Sequence, residues 1–248
     1  MTLRILSYNI RRGGAGREQP LAAVIRSVNA DIVVLEEATR PAVVERLARD
    51  TGMHEWVSRE GKSLAFMSRH PVVRYAARQP AISRHAFLEI VPSTASWRVF
   101  GVHLSAVHAA WTERRRLLEL RALLRSVAAS GQGPHVLIGD FNTVAPGEIF
   151  DVRKLPRRLR ALVWLSGGHI RWRTIATVLG EGYVDSFRRL HPTDVGYTLP
   201  TPDPHVRLDY AFVPGAFAQH VRSCEIVRTP DVAEASDHFP LLIELDGP

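Results

Sequence analysis

A chain of 248 residues, 46% hydrophobic and 23% charged, is long enough to bury a sizeable core and has the make-up of an ordinary globular protein. Its net charge of +7 points to an anionic partner, nucleic acid or a phospholipid surface, and is silent on fold. A single cysteine, Cys224, excludes an internal disulfide, and no apolar run reaches the ~18 residues that a membrane span requires.

Leu3 to Tyr8 reads as a strand with no signal-peptide series ahead of it, so a reducing cytoplasm is the expected setting. The strand ends in Asn9 and a glycine-rich turn, Arg11 to Gly16. A helix over Leu21–Val28 leads into Asp31–Leu35, a continuous apolar run of the buried-strand type that stops at Glu36 and Glu37. Pro41–Arg49 reads as a helix with proline at an acceptable first position. Shorter strands follow at Ser63–Met67, Val72–Ala76, Phe87–Val91 and Trp97–Leu104. Trp111–Ala129 is the clearest helix, with Trp111, Leu117, Leu118, Leu120, Leu124 and Val127 as its apolar face and Gly131 as its stop. Arg114, Arg115, Arg116, Arg121 and Arg125 then form a solvated face. A buried strand opens at His135, and Val206–Val213, Ala218–Val227 and Phe239–Leu245 close the chain as strands. Cys224 lies in one of these and reads as a small core hydrophobe. Strands predominate with helices between some of them, which gives a mixed α/β domain with two sheets and no linker.

One construction recurs: an apolar strand ends abruptly in a group able to bind metal or phosphate. Asn9, Glu37 and His103 end three strands. In His135-Val-Leu-Ile-Gly-Asp-Phe-Asn142, Gly139 breaks the side-chain wall, and Asp140 and Asn142, two apart in extended backbone, are expected to look into one space. A carboxylate there can hold a metal or take a proton from water, and an amide can bond an oxyanion. Arg207 and Asp209 share a strand face, and Asp237 and His238 stand side by side before the last strand. Singly, each reads as well as a turn former, a helix-leading acid or a core histidine; six in strand-end positions are hard to assign to turns.

In chain order, Ser7-Tyr-Asn-Ile10, Leu35-Glu-Glu37, Val102-His-Leu104, Gly139-Asp-Phe-Asn142, Arg207-Leu-Asp-Tyr210 and Ser236-Asp-His238 resemble the motifs of the endonuclease/exonuclease/phosphatase superfamily. Its members include deoxyribonucleases, apurinic/apyrimidinic endonucleases, neutral sphingomyelinases and inositol polyphosphate 5-phosphatases. The motifs run from residue 7 to residue 238, essentially the whole chain. The resemblance implies one catalytic domain over residues 1–248, a monomer, with a four-layer α/β sandwich of two mixed β-sheets packed face to face and helices outside. It implies Mg²⁺, with Mn²⁺ as a substitute, held by Glu37 with Asn9 and Asp237, a hard-oxygen set suited to that ion. By the same resemblance Asp140 orients and deprotonates the attacking water, and Asn142 holds the water or a phosphoryl oxygen. Asp209 fixes the tautomer of His238, His238 and His103 stabilise charge on the phosphate oxygens or the leaving group, and Arg11 and Arg207 bind substrate. The expected activity is phosphodiester hydrolysis of DNA or RNA, with a sphingomyelinase-like lipid phosphodiesterase or an inositol-phosphate phosphatase as the alternative. A catalytically inactive binding module is disfavoured by the intact acids and His238.

Two positions depart from parts of the family. Many members carry Gln-Glu where this chain has Glu36-Glu37, so Glu36 is expected to add a negative charge beside the metal site. Apurinic/apyrimidinic endonucleases tend to carry an acidic or amide residue at the position of Arg11, which resembles the secreted deoxyribonucleases instead and argues against abasic-site repair. Between Asp151 and Arg173, seven basic residues interleave with Trp164 and Trp172. That segment admits three readings: a nucleic-acid surface, an interfacial helix on anionic lipid, or a helical excursion with buried tryptophans.

Overall fold

The computed structural model describes residues 2–248 apart from 81, 82, 84, 85, 107, 108, 132, 149, 150, 166, 169 and 170. Two strand–helix–strand units set its frame. In the first, β1 (Leu3–Asn9) and β2 (Ile32–Glu36) pair in parallel, joined through α1 (Glu18–Val28). In the second, β7 (Arg98–His103) and β8 (His135–Asp140) pair in parallel, joined through α3 (Ala110–Ala129). A parallel pair needs such a crossover, whereas antiparallel neighbours close through short turns.

Antiparallel strands extend each unit into a six-stranded mixed sheet. The first sheet runs β11 (Val221–Ile226), β12 (Leu241–Leu245), β1, β2, β4 (Ala65–Ser68), β3 (Glu55–Val57). The second runs β5 (Val72–Arg78), β6 (Phe87–Pro92), β7, β8, β10 (Asp209–Pro214), β9 (Tyr183–Asp185). Side-chain alternation assigns each strand's two faces. Leu3 and Ile5 of β1 join Val34, Ile90, Val136 and Ile138 in a layer between the sheets. Leu6 and Tyr8 point the other way, against α1 and α2 (Pro41–Thr51), with α7 (Val232–Ala235) alongside. On the outer face of the second sheet, Phe100, Val102, Leu137 and Phe212 pack on Leu120, Leu123 and Val127 of α3 and on Ile175 and Val178 of α5 (Arg173–Gly180). The result is the expected four-layer α/β sandwich. Two short helices complete it: α4 (Arg157–Leu165) ahead of α5, and α6 (Ser186–Leu190) after β9.

Four sequence expectations change. Val206–Val213 is a strand only from Asp209, because Val206 makes an isolated bridge with Leu199, and Ala218–Val227 begins as a tight 3-10 turn over Gly215–His220. The buried face of α3 is centred on Leu120, Leu123 and Val127, and Leu118, about 200° round the helix from Leu120, is exposed together with Trp111. Arg116, expected in solvent, is buried: it donates to Glu113 and to the Ser105 carbonyl.

Candidate active site

The strand ends named by the sequence meet at one end of the sandwich. Parallel register sets His103 opposite Asp140, and antiparallel register sets Asp209 opposite Asp140. From the facing sheet, register sets Asn9 opposite Glu36, and Glu37 follows directly. Asn9 reaches across the sandwich, its amide donating to Asp140 Oδ2 at 3.1 Å.

Gly139 lets β8 approach β7 closely beside Asp140. Its φ is +147°, and a Cβ built there would lie 1.9 Å from the Val102 carbonyl oxygen. Beyond it the expected extended run does not continue. Asn142 takes a left-handed φ of 52°, its N–H donates to Asp140 Oδ1 at 2.8 Å, and its side-chain amide donates to the Leu104 carbonyl at 3.0 Å. Asp140 therefore both opens a turn and keeps its second oxygen towards Asn9 and His103.

Glu37, also left-handed at φ 55°, presents Oε1 3.4 Å from the Asn9 amide and accepts from the Arg12 N–H through Oε2 at 2.6 Å. Its own N–H donates to Ser63 Oγ at 3.1 Å. That hydroxyl also bonds His103 Nδ1. His103 Nε2 lies 3.9 Å from Asp140 Oδ2. Asp237 turns to Arg11, whose Nε lies 3.2 Å away on the rim.

On the far side of Asp140, His238 Nδ1 donates to Asp209 Oδ2 at 3.0 Å. Thr198 Oγ1 holds the backbone of Leu208 and Asp209, and Ser236 Oγ ties the segment before His238 to the Asn9 carbonyl. Burial pushes the His238 imidazole down, but the Asp209 carboxylate outweighs it and lifts the pKa to about 10, so His238 is an imidazolium at neutral pH. Burial, then the charge on Asp209, push the Asp140 carboxyl up to about 7 against the opposing effects of His238, the Asn142 N–H and the Asn9 amide.

Glu36 departs from expectation. Its side chain is buried in the layer between the sheets, where Oε1 accepts from Ser7 Oγ at 2.8 Å. Burial and the nearby Asp209 charge raise its carboxyl well above the usual carboxylate range, which opposes the added charge expected there. Arg207, expected to bind substrate, lies elsewhere. It is 1% exposed, paired with Asp185 and Glu148, and its guanidinium stacks 4.4 Å from the Tyr210 ring centroid. Its charge is spent on two buried acids. Ser63 and Thr198 were not legible beforehand, since a lone hydroxyl residue beside a strand carries no motif.

The donor chemistry fits a divalent ion. Asp140, Asp209 and His238 each offer a ligand atom within 4.8 Å of the others, but His238 Nδ1 and Asp209 Oδ2 are matched to one another. Asp140 and Glu37 instead converge on the one Asn9 amide, which faces two carboxylates while its own oxygen accepts only the Arg11 N–H. Few, hard oxygen donors with room for water and phosphate oxygens suit Mg²⁺ or Mn²⁺.

A family model described as Endonuclease/Exonuclease/phosphatase family matches residues 6–238. No curated protein matches the sequence at a significant level. Among solved structures, an AP endonuclease from Archaeoglobus fulgidus superposes with a TM-score of 0.74 at 17% identity, over 98% of this chain and 99% of that one. The 3' phosphatase NExo from Neisseria, bound to a product DNA hairpin, gives 0.72 at 20% identity over 98% and 99%. A humanized D. rerio TDP2 gives 0.69 at 17% identity over 99% of both chains. At these identities the likeness is one of fold.

Proposed function

The chain belongs to the endonuclease/exonuclease/phosphatase family, and from that membership together with the geometry of the site we propose a divalent-metal-dependent phosphodiesterase of nuclease type, acting on DNA or RNA. The observation that carries this reading is Asp140 Oδ2, set between His103 and His238 and within reach of the Asn9–Glu37 pair.

A phosphodiester repels an incoming nucleophile, so its negative charge must be met by cations and donors as the transition state forms. Glu37, with the Asn9 amide turned to present its oxygen, would hold the ion, and a bound Mg²⁺ supplies charge neutralisation and a polarised water. Asp140, with a carboxyl near neutrality, accepts the proton of the attacking water. The His238 imidazolium, kept charged by Asp209, donates to a non-bridging oxygen or to the leaving group. His103 Nε2 faces the same gap. Asn142 and the half-exposed Arg11 flank the entrance, where they can hold water and a phosphate oxygen. The net charge of +7 and the likeness to a 3' phosphatase bound to a product DNA hairpin favour a polynucleotide. A phospholipid phosphodiester is the second reading, favoured by Trp164 and Leu165 standing exposed.

The deciding experiment is hydrolysis of single- and double-stranded DNA, RNA, sphingomyelin, phosphoinositides and bis-(p-nitrophenyl) phosphate with Mg²⁺ or Mn²⁺. Cleavage should stop in EDTA and in Glu37→Ala or His238→Ala. Undiminished cleavage in those variants would remove the assignment, and cleavage of lipid without polynucleotide would reverse the order of the two substrates.

A further inference from the structure

Away from the mouth, the outer surface of the helical layer formed by α3, α4 and α5 has an unusual make-up. Nine large hydrophobic side chains stand exposed among the described residues, and six fall here: Trp111, Leu118, Trp164, Leu165, Trp172 and Leu179. Trp164 is 75% exposed and Leu165 67%. Eight exposed arginines share the same helices, four on α3 at 114, 115, 121 and 125, three on α4 at 157, 158 and 160, and Arg173 at the start of α5. No Asp or Glu is exposed on the three helices, because Glu113 and Glu119 are turned inward to bond Thr174, Arg116 and Ser105.

This face begins at the active-site end. Ser105, two residues beyond His103, is held by Arg116 and Glu119 of α3. The Thr174 backbone and hydroxyl bond Glu113, which brings the first turn of α5 and Trp172 to the first turn of α3 and Trp111. Thr143, next to Asn142, donates to the Arg171 carbonyl. From there α3 runs for 20 residues, about 30 Å.

We propose that this face docks the protein on an anionic phospholipid bilayer, its tryptophans and leucines entering the headgroup layer and its arginines meeting lipid phosphates. Charge complementarity selects the partner: three helices whose exposed charges are all arginines, with Glu181 exposed just after α5, are drawn to anionic headgroups. Apolar content separates bilayer from polynucleotide. Three of the six apolar groups are leucines, which have no ring to stack on a base, whereas tryptophan and leucine both partition into the interface. No helix among the described residues is long and apolar enough to cross a membrane, so the contact lies on the surface. Docking is a property separate from the ester cleaved at Asp140.

The test uses the full chain and sedimentation with vesicles of phosphatidylcholine alone or mixed with phosphatidylglycerol, with tryptophan emission read in parallel. Binding is expected on the anionic vesicles only, with a blue shift and with release at high salt. The double variant Trp164→Ala, Leu165→Ala should weaken partition about tenfold or more. Arg121→Glu with Arg125→Glu should weaken it at least about 25-fold, each arginine being worth roughly fivefold. All four positions are exposed, so unfolding midpoints should stay at the wild-type value, as should bis-(p-nitrophenyl) phosphate turnover. That turnover separates failure of docking from failure of the hydrolase assignment. Absence of binding to anionic vesicles at low salt, or equal binding by both double variants, would overturn the proposal. So would a tryptophan shift produced by a single-stranded oligonucleotide and not by vesicles, which would assign the face to a polymer.

Discussion

Replacing Asp209 by Asn removes one charge from the buried pair while keeping its shape. Asp209 Oδ2 and His238 Nδ1 are 3.0 Å apart, with side chains only 3% and 8% exposed, so solvent screens the charge little. Burial alone pushes the imidazole down, and Asp209 reverses that to about 10. A histidine raised above its unfolded value, roughly 6.5, stabilises the fold fully below that pH, and the contribution is lost as pH rises through about 10. In Asp209→Asn the burial effect is no longer overcome, and His238 is neutral at about pH 8. Breaking a buried pair costs about 3–5 kcal/mol, and because Asn still accepts the hydrogen bond the loss belongs near 3 kcal/mol. Loss of a charged donor to the phosphate lowers kcat by about 10²–10³. Both are measurable: urea unfolding at about pH 5.5 and 8, and kcat for bis-(p-nitrophenyl) phosphate against pH. The alkaline limb of the wild-type profile should lie near 10 and move to the acid side of neutrality in the variant. A limb that stays near 10 in Asp209→Asn would refute the assignment of His238 as the charged donor.

Two further outcomes follow from the same end of the sandwich. The Asp140 carboxyl is pushed up to about 7 from an ordinary 3.8, so its ionised form opposes folding, fully above about pH 7 and hardly at all below 3.8. Asp140→Asn in EDTA should therefore gain roughly 1–3 kcal/mol at about pH 8 and nothing near pH 4, while kcat falls by about 10³. An equal stability change at both pH values would show that burial of the charge is not its source. Gly139→Ala should cost roughly 3 kcal/mol or more and part β7 from β8, with loss of activity, because its Cβ would meet the Val102 carbonyl. Gly61, at φ +69° with nothing within 4 Å, is the control, and its Ala variant should cost about 1–2 kcal/mol. Similar unfolding free energies for the two variants would mean that close strand approach is not what Gly139 provides.

The layers were legible because β2 and β8 are buried on both faces and their apolar runs are interrupted only near the strand ends. The register between them was not, and register is what assembles the site. Arg207 shows the limit. Its partners Glu148 and Asp185 lie 59 and 22 residues away in sequence, and no spacing rule predicts that they neutralise it. Glu36 shows another. Its charge state depends on facing the layer between the sheets, one residue before the backbone turns left-handed and Glu37 faces the mouth. On α3 the apolar count identified the helix but not its buried face, since leucines occur all round it and only packing on Phe100 and Leu137 selects Leu120 and Leu123.

At Asp140 the turn is observed, and it leaves room for the catalytic role we propose. A carboxylate has two oxygens: Oδ1 closes the turn on the Asn142 N–H, and Oδ2 looks towards Asn9 and His103. The turn is what aims the second oxygen, because it fixes the carboxylate plane against the strand end. Asn9 works likewise, its oxygen taking the Arg11 N–H while its amide spans two acids. His238 does so in turn, with Nδ1 given to Asp209 and the rest of the ring left to the substrate side. A residue type common in turns therefore says little against a site when its second polar atom is left over. Whether that atom converges with others depends on partners such as Asn9, 131 residues away from Asp140.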